Sequence, residues 1–293
     1  KISATLSVTV DKVSRKYMLR TGEITIGESA FSVNVYLAAV KNGTKLYFTF
    51  KNSGADMQKL FALLPDKYRK NFADADGSGA YSITATVKGI AGKSSSPAVQ
   101  IIADLKDSEL KLGKYNKFLK QVNATAKYDM NAEGSDQLTI SNFNCTLNDL
   151  PFRFSLVLQN LSNPDFDFAA DGTLHLAEVS SFIPDSVLQD LEGSVRFSQF
   201  KLKGKKSDFL NVENSSLTGS GVFELQDVEF RQNGVTYGNI NGQLTYDNQV
   251  VDARNFTLNF LSTDFNFTGS IRNLFAFTYN LSAKRKSNDV VLG

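Results

Sequence analysis

The chain has 293 residues, 42% of them apolar, and its 32 basic and 30 acidic side chains leave a net charge of +2. That apolar share is enough for a packed core and excludes a disordered chain, and the charge balance gives no field that would recruit nucleic acid, so no nucleic-acid partner is expected. One His (His175) and one Cys (Cys145) exclude an internal disulfide and a Cys/His metal centre and argue against His- or Cys-based catalysis, and no cofactor is expected.

The first residues, Lys1 and then "ISATLSVTV", alternate from the start, with no secretory leader. No apolar run approaches the roughly 18 residues of a membrane-spanning helix. Both ends read as cut from a longer polypeptide, with any inner-membrane anchor outside this stretch. Two-residue alternation continues through "EITIGE", "FSVNVYL" and "KLYFTF", each rich in β-branched and aromatic residues and bounded by Gly, Asn, Asp or Ser.

A break follows. "ADMQKLFALLPDKYRKNF" puts Met57, Leu60, Phe61 and Leu64 at helical spacing before Pro65, which predicts short helix near 56–72. Next comes "FADADGSGAYSITATVKG", in which Asp74, Asp76 and Ser78 alternate ahead of Gly79 in the manner of a calcium loop. Such a loop needs a bidentate acid at its twelfth position. Counted from Asp74 that position is Ala85, inside an alternating run. The segment is therefore read as a helix-to-strand turn and not as a metal site.

Strand patterns resume with "AVQIIADL", "ATAKYDM", "QLTISNF", "FRFSLVL" and "FDFAADGTLHL", the last holding His175 as an ordinary strand residue. A second break, "LAEVSSFIPDSVLQDL", places Leu176, Val179, Phe182 and Ile183 before Pro184 and predicts short helix near 177–191. "GSVRFSQFKLKG", "GSGVFELQDVEF", "GQLTYD" and "FTLNFLSTDFNFTGSI" then alternate to the end. The fold class is all-β and mainly antiparallel: an elongated, curved, repeat-built sheet or groove with a few short helices.

The two breaks reveal a repeat. Each runs apolar-Pro-Asp, amphipathic turn, Gly, alternating strand, Lys-Gly, and "ITIGESAFSVNVYL" from Ile24 resembles the segment from Leu138. The modules are 1–137, 138–255 and the opening of a third at 256–293, expected to form one continuous elongated domain on a shared core.

The run "FDFAADG", a strand, the "LAEVSSFIP" helix and "GSVRFSQFKLKG", together with "QLTISNFNCTLNDLPFRFSLVLQNLSNPDFDF" and "NFTLNFLSTDFNFTGSIRNLFAFTYN", resembles the repeating module of AsmA-like proteins. The resemblance covers nearly the whole chain through degenerate motifs. It implies a periplasmic, non-enzymatic protein of the Gram-negative envelope, related to TamB and the bridge-like lipid-transfer proteins and anchored in the inner membrane. Its apolar β-groove would shield phospholipid acyl chains in outer-membrane biogenesis or maintenance. No catalytic residues come with the family.

Beside it stand four Phe-x-Phe pairs, Phe152/Phe154, Phe166/Phe168, Phe265/Phe267 and Phe275/Phe277. Residues two apart on a strand share a face, so these are the lipid-facing candidates. The alternative is a closed β-sandwich binding or adhesion module in which every Phe packs against protein; a carbohydrate-active enzyme has no carboxylate pair singled out for it. Eight Asn-x-Ser/Thr triplets are read as chance in an Asn-rich chain. The lysine-rich "LKLGKYNKFLKQ", "KLKGKK" and "AKRKS" are read as edge or solvated-face residues. No phosphate-binding or nucleophile-elbow motif is present.

Overall fold

A computed structural model describes residues 2–26, 29–56, 75–112, 117–147, 149–180, 189–209, 217–232, 234–248, 250–261, 263–272 and 290–292. The described chain is all-β, as the alternation predicts: sixteen strands lie in one sheet in strict sequence order. The register is antiparallel in each of the strand pairs traced below. Antiparallel neighbours need only short connections, which suits the Gly- and Asn-bounded runs of the sequence.

The chain divides into two compact units, Lys1–Phe143 with Val157–Leu161, and Asn144–Leu156 with Ser162–Gly293. The first holds β1 (Ile2–Asp11), β2 (Lys16–Ile26), β3 (Ser29–Val40), β4 (Gly43–Asp56), β5 (Ala75–Ala91), β6 (Ala98–Leu112) and β7 (Lys117–Met130). The division falls within β8 (Asp136–Leu147) and β9 (Leu150–Gln159); the expected module start at Leu138 also lies in β8. The second unit continues with β10 (Asp165–His175), β11 (Gln189–Lys205), β12 (Thr218–Gln232), β13 (Val235–Asp247), β14 (Val250–Phe260), β15 (Thr263–Arg272) and β16 (Val290–Leu292).

The helical breaks fall mostly outside the described residues. Strand β4 runs through Asp56, and the rest of the first break lies outside the described residues. In the second, Leu176–Val179 forms a helical turn among the described residues and β11 begins at Gln189; residues 181–188 lie outside the described set. Leu191 and Val195 are both buried, which draws that end of the stretch into the sheet.

The strands are not simple alternators. In β12, Leu225 and Val228 are three positions apart yet pack in the same apolar cluster. Asp227 between them has φ +49, and the register of β12 against β13 shifts at this point. A bulge with a left-handed residue adds one position and returns the next apolar side chain to the face that strict alternation would deny it. The same arrangement recurs at Phe197-Ser198-Gln199-Phe200, at Tyr237-Gly238-Asn239-Ile240 and at Ala253-Arg254-Asn255-Phe256, with φ +52, +51 and +49 at the third residue.

The first unit repeats this geometry pair for pair. Strands β6 and β7 pair as Leu105↔Ala124, Ser108↔Val122 and Leu110↔Leu119; β12 and β13 pair as Leu225↔Gly242, Val228↔Ile240 and Phe230↔Tyr237. The bulge N–H is held the same way in both. Asp107 N donates to Asn123 Oδ1 at 3.0 Å, and Asp227 N donates to Asn241 Oδ1 at 2.8 Å. Among the described residues, nine of the thirteen non-glycine residues with positive φ are Asn or Asp, the types that tolerate this conformation. Asn160 and Asn255, which begin two of the Asn-x-Ser/Thr triplets, are among these residues.

Gln199 tests the role of the left-handed position, because its side chain is exposed while its backbone N–H donates to Asp171 Oδ2 at 3.2 Å. Gln199→Ile is expected to cost about 1–2 kcal/mol in urea unfolding, since a β-branched residue is strained there, whereas Gln199→Gly stays within about 0.5 kcal/mol.

A candidate apolar face on the second unit

Strand β9 separates its side chains cleanly. Phe152 and Phe154 are half-buried, and Pro151, Arg153 and Ser155 between them are exposed. On β10, Phe166, Phe168 and Ala170 point to one face, and Asp165, Asp167 and Asp171 to the other. The acidic row is paired: Lys203–Asp167 at 2.7 Å, Arg153–Asp171 at 3.3 Å and Lys205–Asp165 at 3.9 Å. These exposed pairs are individually worth about 0–1 kcal/mol, but they mark that face as the solvated one. They also settle the place of "KLKGKK": β11 is an interior strand, so Lys203 and Lys205 belong to a solvated face and not to an edge.

The structure gathers four of the eight candidate phenylalanines into one cluster. Phe152, Phe154, Phe166 and Phe168 pack against buried Ala170, Phe200, Leu202, Leu217, Tyr246 and Val251. Ring contacts run from strand to strand: Phe154–Phe168 at 6.1 Å, Phe168–Phe200 at 6.1 Å, Phe200–Phe223 at 4.9 Å and Phe197–Phe223 at 5.5 Å between centroids. Phe197 and Phe223 also pack against a second cluster around Val195, Val228 and Ile240, so the two clusters form one continuous apolar face. Offset and edge-on pairs of this kind contribute about 0.5–1.5 kcal/mol each beyond their buried area.

The other four candidates divide differently. Phe267 packs against Phe256 with tilted rings 4.7 Å apart between centroids, Phe265 is 45% exposed, and Phe275 and Phe277 lie outside the described residues. The side chains at the centre of the face, Phe200 and Tyr246, are not in Phe-x-Phe pairs at all. Phe197 and Phe200 are three apart across the Gln199 bulge, and only the amide-bearing residue between them could have shown that they share a face.

The acidic stretch read as a turn is strand. Asp76 and Ser78 sit in β5, paired with Lys111 and Glu109 of β6, with a register shift at Gly79; Asp74 lies outside the described residues. Among the described residues no group of three His, Cys, Asp or Glu is placed to hold a metal. His175 is exposed at the end of β10. Cys145 is buried, and that burial pushes its thiol up to about 11, far from the reactive thiolate range.

No protein-family profile, curated protein or solved structure matches the chain. No helix among the described residues is long and apolar enough to cross a membrane.

Two outcomes follow from this geometry. Phe200→Ala is expected to cost about 3–5 kcal/mol in chemical denaturation, as for a large core truncation, and Phe265→Ala to stay within about 0.5 kcal/mol. The raised thiol of Cys145 makes the folded state hold its proton longer than the unfolded state does. The stability this contributes is complete below the ordinary value of 9.0 and is lost as pH rises from there toward about 11. Unfolding curves of the wild type and Cys145→Ala, compared between pH 8 and 11, are expected to show that loss in the wild type alone.

Proposed function

We propose that the chain is an AsmA-like, non-enzymatic segment of the periplasm that shields phospholipid acyl chains along the apolar face of its sheet. The observation that carries this reading is the continuous aromatic face of the second unit, where Phe152, Phe154, Phe166 and Phe168 pack against the buried cluster and stay only half-buried themselves. All sixteen strands belong to one sheet, each beside its sequence neighbours. The exposed parts of these rings are where an apolar guest would meet the sheet. The opposite face, with its cross-strand ion pairs, stays in water.

The mechanism is passive. Acyl methylenes leave water for the face, each contributing about 0.8 kcal/mol, and no bond is made or broken. Outer-membrane maintenance is the process that the family resemblance supplies for it.

The test is site-specific photocrosslinking in cells. p-Benzoylphenylalanine placed at Phe154 or Phe168 is expected to capture phospholipid, while the same probe at Arg153, on the solvated face, captures none. Equal labelling at all three positions, or none at any, contradicts the reading and favours a closed binding module.

A further inference from the structure

The even charge balance of the whole chain hides an uneven distribution. Neighbouring strands run in opposite directions, so the turns β1–β2, β3–β4 and β5–β6 lie at one end of the first unit. These turns touch. Ala39 N donates to Arg15 O at 3.2 Å, which joins the first to the second. A Cβ on Gly43 would meet Ala91 O at 2.2 Å, and one on Gly92 would meet Asn42 O at 2.3 Å, so the second lies tight against the third. Residues 10–17, 40–47 and 88–97 carry seven cations against a single acid, Asp11. Lys12, Lys41 and Lys93, one on each turn, are exposed and make no ion pair among the described residues. The Asp11 carboxylate is spent on its own turn: Oδ1 accepts from Val13 N at 3.0 Å and Ser14 N at 3.1 Å, and Oδ2 accepts from Ser14 Oγ.

Apolar side chains share this end with the cations. Ten large ones are exposed among the described residues, and six of them are here: Val10, Val13, Tyr17, Val40, Tyr47 and Ile90. Val13 stands 98% exposed at the tip of a turn whose backbone is fixed by Asp11. Apolar residues exposed singly are ordinary, whereas a cluster of them marks an interaction surface. Strand register sets the two chemistries side by side, with Lys45 opposite Ile90 and Tyr47 opposite Lys88. The turns at 160–164 and 248–249 carry no cation.

We propose that this end of the first unit docks on the surface of an anionic lipid bilayer. The turn cations meet the phosphate headgroups, Val13 enters the layer beneath them, and Tyr17 and Tyr47 sit at headgroup level. A nucleic-acid duplex would offer phosphates to the same cations but no apolar medium to Val13, Val40 or Ile90. Docking here is independent of acyl-chain capture on the second unit, because it uses other residues.

The test is flotation of the whole chain with vesicles, either phosphatidylglycerol and phosphatidylcholine in equal parts or phosphatidylcholine alone. Binding is expected to the anionic vesicles only and to weaken as salt rises, because the attraction acts within a Debye length. Lys12→Gln, Lys41→Gln and Lys93→Gln together are expected to weaken it about hundredfold, at about fivefold for each cation removed. The same charge change in the second unit, Lys201→Gln, Lys203→Gln and Lys205→Gln together, is expected to leave binding within about twofold. The chain has no Trp, so Val13→Trp reports on the first turn alone. Its emission is expected to shift to the blue with the anionic vesicles and to stay unchanged with the neutral ones. All these positions are exposed, so the variants are expected to unfold together with the wild type. Equal binding to both vesicles, equal loss from the two triple variants, or an unshifted emission overturns the proposal. Capture of duplex DNA in place of the anionic vesicles overturns it as well and assigns the patch to nucleic acid.

Discussion

The structure depends on one backbone constraint, the left-handed residue that interrupts most strands. Each strand pairs with its sequence neighbours in a single sheet, so all the apolar side chains of a unit must reach the same face. A long strand cannot hold strict alternation and follow its neighbours' twist at once. A bulge at Asp107, Gln121, Gln199, Asp227, Asn239 or Asn255 absorbs the misfit and brings the next apolar residue back to its face. The amide hydrogen freed by the bulge at Asp107 or Asp227 is taken up by an Asn on the following strand, so the interruption leaves no orphan donor there. Without these positions Phe200, Val228 and Ile240 would turn to solvent and the apolar clusters of the second unit would come apart.

From that constraint the two faces acquire different chemistry. One collects aromatic rings in contact from β9 to β13, while the other carries Arg153, Lys203 and Lys205 paired with carboxylates of β10. Burial is graded across the aromatic side: Phe200 and Tyr246 are sealed and hold the sheet together, whereas Phe152, Phe154, Phe166 and Phe168 are only half-covered. The sealed residues account for stability and the half-covered ones are those available to an apolar guest. The first unit repeats the bulge geometry.

Much of this was legible from residues alone. Alternation of Val, Ile, Phe and Thr between Gly and Asn gave the all-β class, and the Phe-x-Phe pairs on β9 and β10 each share a face because no bulge separates their members. The same rule missed Phe197 with Phe200 and Leu225 with Val228, since a spacing of three reads as the opposite face until the Gln or Asp between them is recognised as left-handed. It also gave equal weight to Phe265, which sits 45% exposed near the end of the described sheet. The stretch around Asp76, denied a metal because its twelfth position is Ala85, was read as a turn when it is the first part of β5.

The central claim is that the half-covered aromatic face meets acyl chains, and the most direct measurement is the lipid content of the intact, folded protein. Chain purified from cells without lipid-solubilising detergent, extracted and analysed by mass spectrometry, is expected to carry phospholipid in reproducible proportion to protein. Replacement of Phe154 and Phe168 together by Ser should lower that proportion while the β-sheet circular dichroism persists. Folded wild-type protein that carries no phospholipid, or the same amount with and without the two rings, would contradict the account.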